Sequence, residues 1–470
     1  MFKAEIYKRR RAALIEKMGC RGLVLIPANE LSPNSYPSNS YYFRQDSTFR
    51  YLFGLDRPSL WGVIDLDSGE ELLFGDDGTL EDVIWTGPQP LLKELAQLVG
   101  IEQSKQICLL QKQVSEAQSQ GRKIHILPPY RGETKIALAS LLGVEISKLQ
   151  EILSPELIFS IAALRERKGA EEIEELERSY SIGYEMHTTA MRMAKVGVVE
   201  REIGGTLEGV ARRMGGGVSF PPICTQHGET LHNIDREGVL ESGRLMLCDA
   251  GGETLEGYCS DHTRTFPVNG RFTDVQRDVY NVALAAHDQI TAFARPHLQY
   301  SELQRECYRV LAEGLRGLGF LRGSIEEIIE RDAMRLFMPH GVSHGLGLDV
   351  HDCEAFGERS FDVEQFSALS AQSTACIIRS QWILEEGTVL TNEPGIYFIP
   401  ELIERRRAEG AYSGVVDYDL VSKYLDFGGI RIEDDIVISD SGAYQIGAKA
   451  ERQIPITVSE IESFMEEARR

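Results

Sequence analysis

The chain has 470 residues, more than one hydrophobic core usually serves, so two or three domains are expected. Its composition, 42% hydrophobic and 26% charged, is typical of an ordinary soluble protein and excludes a disordered or fibrous chain. A formal net charge of -22 repels phosphate backbones and anionic lipids, so neither nucleic acid nor a membrane surface is expected as a partner.

The amino terminus carries basic residues through Arg11, but no apolar run of signal-peptide length follows, and no later segment approaches a membrane span. Eight cysteines are scattered singly, without CxxC pairs, which is typical of reduced and mostly buried thiols. We therefore expect a cytoplasmic protein and assign the cysteines no role.

Residues 1–160 alternate helical and strand patterns, which predicts an α/β domain. A helix over 4–18 leads to a strand over 22–26 and a loop over 27–40 rich in Pro, Asn and Ser. The aromatic segment 41–54 is interpreted as core rather than as a ligand platform. Metal ligands and nucleophiles do not cluster here, so a scaffold or oligomerisation role is expected. Further strands are predicted at 61–65, 71–74, 106–110 and 123–127.

The charged stretch 161–168 marks the predicted start of a second domain, 161–470. Connections 352–384 and 400–427 are long for loops, so they are lids or insertions with structure of their own. The fold class expected for the whole chain is α/β (α+β). The predicted elements of the second domain are helices at 171–195, 200–214, 273–293 and 301–318 and strands at 222–224, 244–249, 257–266, 388–391 and 429–438.

Two aspartates lie at the ends of apolar strands. Asp249 closes one strand and Asp261 lies twelve positions later, beyond a glycine-rich turn at Gly251 and Gly252. An antiparallel hairpin would bring the two carboxylates side by side. Either aspartate alone is most often a turn or surface residue, but together they would repel unless a cation or a shared proton relieved them.

Two glutamates follow the same pattern later in the chain. Glu393 comes after a strand and before a Pro-Gly turn, where a side chain can face a cleft. Strand alternation places Glu433 and Arg431 opposite Ile430 and Ile432, on a face that is either solvent or cleft.

Three of the 10 histidines, His340, His344 and His351, lie among glycines within thirteen residues. The segment is either a glycine-rich connector or part of a site, because imidazole is the commonest protein metal ligand. Four carboxylates with one imidazole suit Mn, Co, Fe or Zn and are enough for a two-metal site that activates water and polarises a carbonyl. The candidate metal ligands are Asp249, Asp261, His344, Glu393 and Glu433.

The motifs around these residues resemble those of the pita-bread metallopeptidases, and within them Xaa-Pro aminopeptidase (aminopeptidase P) and Xaa-Pro dipeptidase (prolidase). Segment 42–54 is similar to the aminopeptidase P amino-terminal domain. The resemblance implies an aminopeptidase P-like α/β domain before a catalytic pita-bread domain, two divalent ions, most commonly Mn with Co, Zn or Fe as alternatives, a proline-containing peptide substrate and a homodimer or larger assembly. The motifs that carry it lie at 231–233, 249–251, 260–270, 338–352, 393–397 and 429–435.

The same resemblance implies a role for each residue. Asp249 would chelate one ion, Asp261 and Glu433 would bridge both, and His344 with Glu393 would hold the other. Glu393 would also act as general base. The cleft histidines would position the substrate, stabilise the oxyanion and help proton transfer; they are His232, His340 and His351. Arg431 would orient Glu433, meet a substrate carboxylate or form a structural ion pair.

Three departures from the family pattern bear on specificity. The chain has one residue more between its two aspartates, which predicts a bulge or an extra turn residue near 254–256. Asn392 replaces an apolar residue and is expected to place a polar side chain beside the metals. Cys353-Glu354-Ala355 replaces Val-Gly-Gly.

Other functions fit parts of the sequence. Residues 341–345 match the GxSxG pattern of serine hydrolases around Ser343, although neither a strand before it nor a helix after it is indicated. Pita-bread folds also serve as metal-free binding modules and amidinohydrolases. Within the peptidases, the run at 405–407 of three arginines resembles a prolidase insertion, which leaves a dipeptidase open. The aminopeptidase is the favoured interpretation.

Overall fold

The computed structural model describes residues 1–356 and 381–470, which fall into two compact units. The first comprises Met1–Arg165 with residues 353–356, and the second comprises Glu166–Asp352 with residues 381–470. Within the described ranges, no helix is long and apolar enough to cross a membrane.

The first unit is built on a five-stranded mixed sheet in the order β6-β5-β4-β1-β7. Its strands are β1 Leu23–Pro27, β2 Pro33–Tyr36, β3 Asn39–Ser40, β4 Trp61–Asp65, β5 Glu71–Gly75, β6 Gln103–Gln106 and β7 Ile124–His125. Its helices are α1 Ala4–Met18, α2 Ser47–Phe53, α3 Leu80–Thr86, α4 Leu92–Leu98, α5 Leu110–Ser119, α6 Gly132–Leu142 and α7 Pro155–Glu166. Strand β1 is buried in all but its last residue, as an apolar run between neighbours on both sides requires.

Several local predictions for this unit differ from the structure. The loop expected over 27–40 contains the hairpin of β2 and β3, and the strand expected over 106–110 lies earlier, as β6, with a 3₁₀ turn after it. The aromatic segment is divided. Phe49 and Phe53 are buried in α2, whereas Tyr41 and Tyr42 are 60% and 80% exposed, so the core interpretation was wrong for its first residues.

The second unit contains small antiparallel sheets covered by long helices. Its helices are α8 Ala170–Met193, α9 Glu200–Met214, α10 Asp274–Phe293, α11 Tyr300–Gly317, α12 Ile325–Glu330, α13 Pro400–Ala408, α14 Tyr418–Val421 and α15 Val458–Glu467. Its strands are β8 Gly217–Val218, β9 Ile223–Thr225, β10 Leu245–Ala250, β11 Gly252–Glu253, β12 His262–Pro267, β13 Val389–Asn392, β14 Gly395–Tyr397, β15 Gly429–Arg431, β16 Asp434–Ser439 and β17 Gly442–Gln445.

The pairing of these strands positions the acidic residues. Strands β10 and β12 are antiparallel, and β13 pairs with β16 in a second antiparallel ladder. A backbone bridge joins Thr263 in β12 to Glu433, just before β16. The predicted pairing of the two strands is therefore present, but the turn is not where it was expected: Gly252 lies in β11, and the chain turns at Leu255 and Glu256. The acidic residues beside both ladders line one cavity.

Other predictions for the second unit also need correction. The strand expected over 429–438 is interrupted at Ile432 and Glu433, because β15 pairs with β14 while β16 pairs with β13. The strand expected over 257–266 begins only at His262. The connection 400–427 has structure of its own, in α13 and α14. Most of the other long connection, 352–384, lies outside the described residues.

The described cysteines are all free thiols, and five of them are buried. Cys376 lies outside the described residues.

Candidate metal centre

A cavity of about 470 Å³ lies in the second unit and gathers the candidate residues. Its acidic and basic lining is Asp249, Asp261, Glu393, Glu433, His232, His340, His344, His351 and Arg431. Its remaining lining is Phe220, Pro221, Ile223, Leu231, Ile234, Gly341 and Val350. One wall of the cavity is thus acidic and the rest is mostly apolar.

Asp261, His344 and Glu433 form the centre of the acidic wall. Each offers one ligand atom, and these atoms all lie within 4.8 Å of one another. The three residues are only 5%, 3% and 2% exposed, so the solvent-facing alternative for Glu433 was wrong. Asp261 immediately precedes β12, and Glu433 occupies the interruption between β15 and β16. Because the strand is interrupted here, Glu433 is not part of the ladder and its side chain lies near Asp261.

The hydrogen bonding of His344 fixes which ring nitrogen faces the carboxylates. Nδ1 lies 3.1 Å from the carbonyl oxygen of Gly345, which can only accept, so Nδ1 carries the proton. The other ring nitrogen, Nε2, lies 3.4 Å from Asp261 Oδ2 and 3.8 Å from Glu393 Oε1. In the neutral ring, Nε2 presents a lone pair to these carboxylate oxygens, an arrangement that a bound cation would stabilise.

Burial and charge repulsion also indicate that Asp261 and Glu433 form part of a cation site. Burial raises the pKa of Asp261 well above its usual range, and Glu433 and Asp249 add to the rise through repulsion. Burial likewise raises the pKa of Glu433, with further repulsion from Glu393 and Asp249. Each shift disfavours the ionised carboxylate, so protons and divalent cations compete for the same oxygens.

Two buried oxygens at this wall also lack hydrogen-bond partners. Among the described residues, Asp249 Oδ1 and Asp261 Oδ1 have none. Buried polar atoms normally have hydrogen-bond partners. Carboxylate oxygens without such partners, in residues that line one cavity, are expected where these oxygens bind a metal ion. Carboxylate oxygens with one imidazole nitrogen fit Mn, Co, Fe or Zn. The residues present therefore fit a divalent metal site.

Arg431 forms a structural ion pair in the wall of the cavity. Its guanidinium donates to Asp249 Oδ2 at 2.6 Å, to Thr263 Oγ1 at 3.1 Å and to the Tyr397 hydroxyl at 2.9 Å. Thr263 Oγ1 in turn donates to Glu433 Oε2 at 2.6 Å. Burial alone would lower the pKa of Arg431, but the surrounding Tyr397 and Asp249 raise it overall, so the residue stays charged. Of the three expectations for this arginine, the structure favours the positioning and ion-pair roles.

The sequence did not single out Tyr397, although it lies in the motif after Glu393. Its hydroxyl accepts from Arg431 and lies 2.9 Å from His340 Nε2. His340 Nδ1 is bonded to the Gly341 carbonyl oxygen at 2.8 Å, so Nε2 is the acceptor for the tyrosine proton. The role of Tyr397 is visible only from its hydrogen bonds to His340 and Arg431. From the sequence alone, Tyr397 looks like any other tyrosine of the hydrophobic core.

The three cleft histidines lie at different depths. His340 is half-buried, with Nδ1 3.6 Å from Glu393 Oε2. His351 is exposed and stacks on the ring of His344 at 3.8 Å. His232 is exposed in the cavity lining. A substrate entering the cavity would meet His232 and His351 before the acidic wall.

The serine hydrolase alternative fails on geometry. Ser343 is 0% exposed and is not among the lining residues of this cavity. Within residues 338–350 the structure has neither the strand nor the helix that a nucleophile elbow requires.

The departure at 254–256 lies in a turn. Thr254 donates its N–H to the Tyr258 carbonyl oxygen and accepts one from Gly257, and Leu255 at the tip is 76% exposed. The turn therefore continues the hairpin away from the acidic wall.

Comparison with known proteins adds independent information. The model of metallopeptidase family M24 matches residues 174–440, and that of the aminopeptidase P N-terminal domain matches residues 7–126. Human Xaa-Pro dipeptidase is 30% identical over 459 residues, which cover 94% of this chain and 88% of that protein. Escherichia coli Xaa-Pro aminopeptidase is 30% identical over 478 residues, which cover 99% of this chain and 98% of that protein.

Solved structures of the Escherichia coli aminopeptidase P are similar throughout their length. The low-pH form superposes with a TM-score of 0.79 at 30% identity and covers 100% of both chains. A zinc-substituted form in complex with product gives a TM-score of 0.78 at 29% identity and covers 100% of this chain and 99% of the other.

Proposed function

Because this chain belongs to metallopeptidase family M24, we propose that it is a dinuclear-metal Xaa-Pro aminopeptidase, which hydrolyses the bond between an amino-terminal residue and a following proline. The expected family and fold class, an aminopeptidase P-like domain followed by a pita-bread domain, are confirmed by the same matches. Family membership makes the chain a hydrolase that uses divalent metal. Residues 1–160 are proposed as scaffold or oligomerisation domain, and residues 161–470 as catalytic domain.

The acidic wall supports the proposed metal ligands. Divalent ions bound there, most commonly Mn, would polarise the peptide carbonyl and lower the pKa of a water molecule. The proposed ligands are Asp249, Asp261, His344, Glu393 and Glu433, all in the lining of one cavity.

Side chains of the protein carry out proton transfer and substrate positioning. Glu393 accepts a proton from the attacking water and returns it to the proline nitrogen as the peptide bond breaks. His340 lies beside Glu393 and is held by the Tyr397 hydroxyl, so its ring has a fixed orientation at the reacting carbonyl. His351 and His232, at the exposed side of the cavity, position the substrate.

Within residues 1–356 and 381–470, the basic lining of the cavity favours the aminopeptidase over the dipeptidase. A dipeptide carries its terminal carboxylate next to the scissile bond, close to the acidic wall, and needs a cation to hold it. Among the described lining residues, Arg431 is the only lysine or arginine, and Asp249, Thr263 and Tyr397 already occupy its guanidinium.

The arginine run that resembled a prolidase insertion is engaged elsewhere. Arg405 and Arg406 pair with Glu409, and Arg407 pairs with Asp419. None of the three is among the lining residues of this cavity. The runner-up remains the dipeptidase, because relatives with that name are as similar to this chain as the aminopeptidases.

Hydrolysis of matched peptides tests the proposal. Manganese-loaded protein is expected to release alanine from the tripeptide Ala-Pro-Ala with a kcat/KM at least about tenfold above that for the dipeptide Ala-Pro, a difference of about 1.4 kcal/mol in transition-state free energy. The tripeptide Ala-Ala-Ala is the control for the proline requirement. Preference for the dipeptide would establish the runner-up, and release of alanine from neither proline peptide would reject both.

A further inference from the structure

Helix α10 contacts the ends of β13 and β16 next to which Glu393 and Glu433 lie. Asn392 is the last residue of β13 and Asp434 the first of β16, and the two are directly opposed in the ladder. Directly opposed residues share a face of a sheet, while their neighbours along each strand point the other way. Asn392 and Asp434 thus form a pair behind the acidic wall, one position away from the two glutamates that line the cavity.

The side chain of Asn392 bonds to α10 rather than facing the metals. It is 0% exposed, and its Nδ2 donates to the His287 carbonyl oxygen at 2.7 Å and to Thr291 Oγ1 at 2.9 Å. This corrects the expectation that the residue places a polar group beside the metals. Strand alternation is the reason, since Glu393 takes the cavity side.

The hydrogen-bonding capacity of Asn392 is only partly used. Its Oδ1 is buried and has no hydrogen-bond partner among the described residues. A buried acceptor without a partner is destabilising, and an apolar side chain of the same size would avoid that loss. The two donated bonds are what distinguishes asparagine from such a side chain.

Asp434 lies against the ring of the same helix residue and is hydrogen-bonded to Arg264 of β12. Its Oδ2 lies 3.1 Å from His287 Nε2, and both of its oxygens accept from Arg264, at 2.8 and 3.0 Å. Arg264 also donates to the backbone carbonyl oxygen of Glu433 at 2.8 Å. His287 therefore contacts both members of the pair, Asn392 through its carbonyl oxygen and Asp434 through its ring.

We propose that Asn392 and His287 are positioning residues, which hold the ends of β13 and β16 so that Glu393 and Glu433 keep the separation needed to bind metal. The inference rests on the metal site proposed above. The β13–β16 ladder reaches no further than the pair Asn392 and Asp434, so the bonds to α10 restrain the strand end from which Glu393 projects.

Manganese affinity, measured beside the thermal stability of the metal-free protein, tests this role. Asn392→Leu is expected to weaken Mn²⁺ binding in equilibrium dialysis by about 10-fold or more, the usual effect of losing a group that orients a ligand. The matched control is Thr188→Val, another buried polar group, whose hydroxyl bonds only within its own helix, at 2.8 Å to the Tyr184 carbonyl oxygen. That control is expected to keep the wild-type affinity even where its melting temperature falls.

A milder variant keeps the test decisive if Asn392→Leu does not fold. Thr291→Val removes one of the two acceptors of Asn392 and is expected to weaken Mn²⁺ binding in the same direction by a smaller factor. Unchanged Mn²⁺ affinity in the folded variant, whatever its melting temperature, would overturn the positioning role. Failure of the wild-type protein itself to bind Mn²⁺ would instead reject the proposed metal site.

Discussion

Replacing Glu393 with glutamine is expected to lower kcat/KM for a Xaa-Pro tripeptide by at least about 10³-fold, because the variant loses both a proton acceptor and an anionic metal ligand. Glutamine keeps the shape of the side chain. It also removes one negative charge from the acidic wall, where burial and then repulsion from Glu393 raise the pKa of Glu433. The metal-free variant should therefore fold at least as stably as the parent.

Steady-state hydrolysis of Ala-Pro-Ala, together with thermal melting of the metal-free protein, measures both parts of this prediction. Glu386→Gln is the matched control, since it makes the same chemical change at an exposed position that is not among the lining residues of this cavity. A Glu393→Gln enzyme within about tenfold of the parent would remove Glu393 from the mechanism.

Replacing Arg431 with leucine is expected to destabilise the metal-free protein by about 3–5 kcal/mol, the usual effect of removing one partner from a buried ion pair. Arg431 is 4% exposed, and without its guanidinium Asp249 would be a buried carboxylate in a cavity lined by other carboxylates. Tyr397 would also lose a donor and Thr263 a partner. A bound cation would compensate Asp249, so the loss should be smaller in the presence of Mn²⁺.

Urea titrations of the metal-free and manganese-loaded forms measure the two free energies of unfolding. The control is Arg405→Leu, which breaks an exposed pair with Glu409 and should change stability by no more than about 0.5 kcal/mol. An Arg431→Leu protein as stable as this control would show that Asp249 does not depend on the ion pair. If Mn²⁺ does not reduce the loss in free energy of unfolding, Asp249 is not a ligand of the metal site.

Local sequence patterns could predict much of the helical framework. Helix α1 spans the predicted residues 4–18 and ends before Gly19, and α9 ends before the glycine run that begins at Gly215. The acidic residues could be found for a related reason. Each lies within or next to an apolar strand: Asp249 in β10, Asp261 just before β12, Glu393 just after β13 and Glu433 between β15 and β16. A carboxylate in or beside such a strand is a local signal that needs no knowledge of the fold.

Contacts between distant segments could not be predicted in this way. Strand periodicity over 429–438 suggested one continuous strand, but the exchange of partners between β14 and β13 breaks it at Glu433. The backbone N–H of Asp261 donates to Asp435, 174 residues away, and Arg431 reaches Asp249 across 182 residues. Such pairs depend on which sheets meet, and that information is not in the spacing of residues along either strand.

The direction of Asn392 shows the same limit at a single residue. The sequence correctly marked it as unusual beside Glu393, yet a position next to a ligand says nothing about which side of the strand the ligand takes. The structure shows the amide bonded to His287 and Thr291 on α10. An unusual residue next to a candidate ligand can therefore indicate a side chain that packs behind the site as well as one that lines it.

Metal content tests the central claim most directly. After loading with Mn²⁺ and exhaustive dialysis, elemental analysis of the purified chain is expected to find about two ions per chain, as a two-metal hydrolytic site requires. The variant Asp261→Ala is expected to retain fewer, because Asp261 belongs to the buried group whose ligand atoms lie within 4.8 Å of one another. A wild-type chain that retains no Mn, Co, Zn or Fe under these conditions would contradict the account.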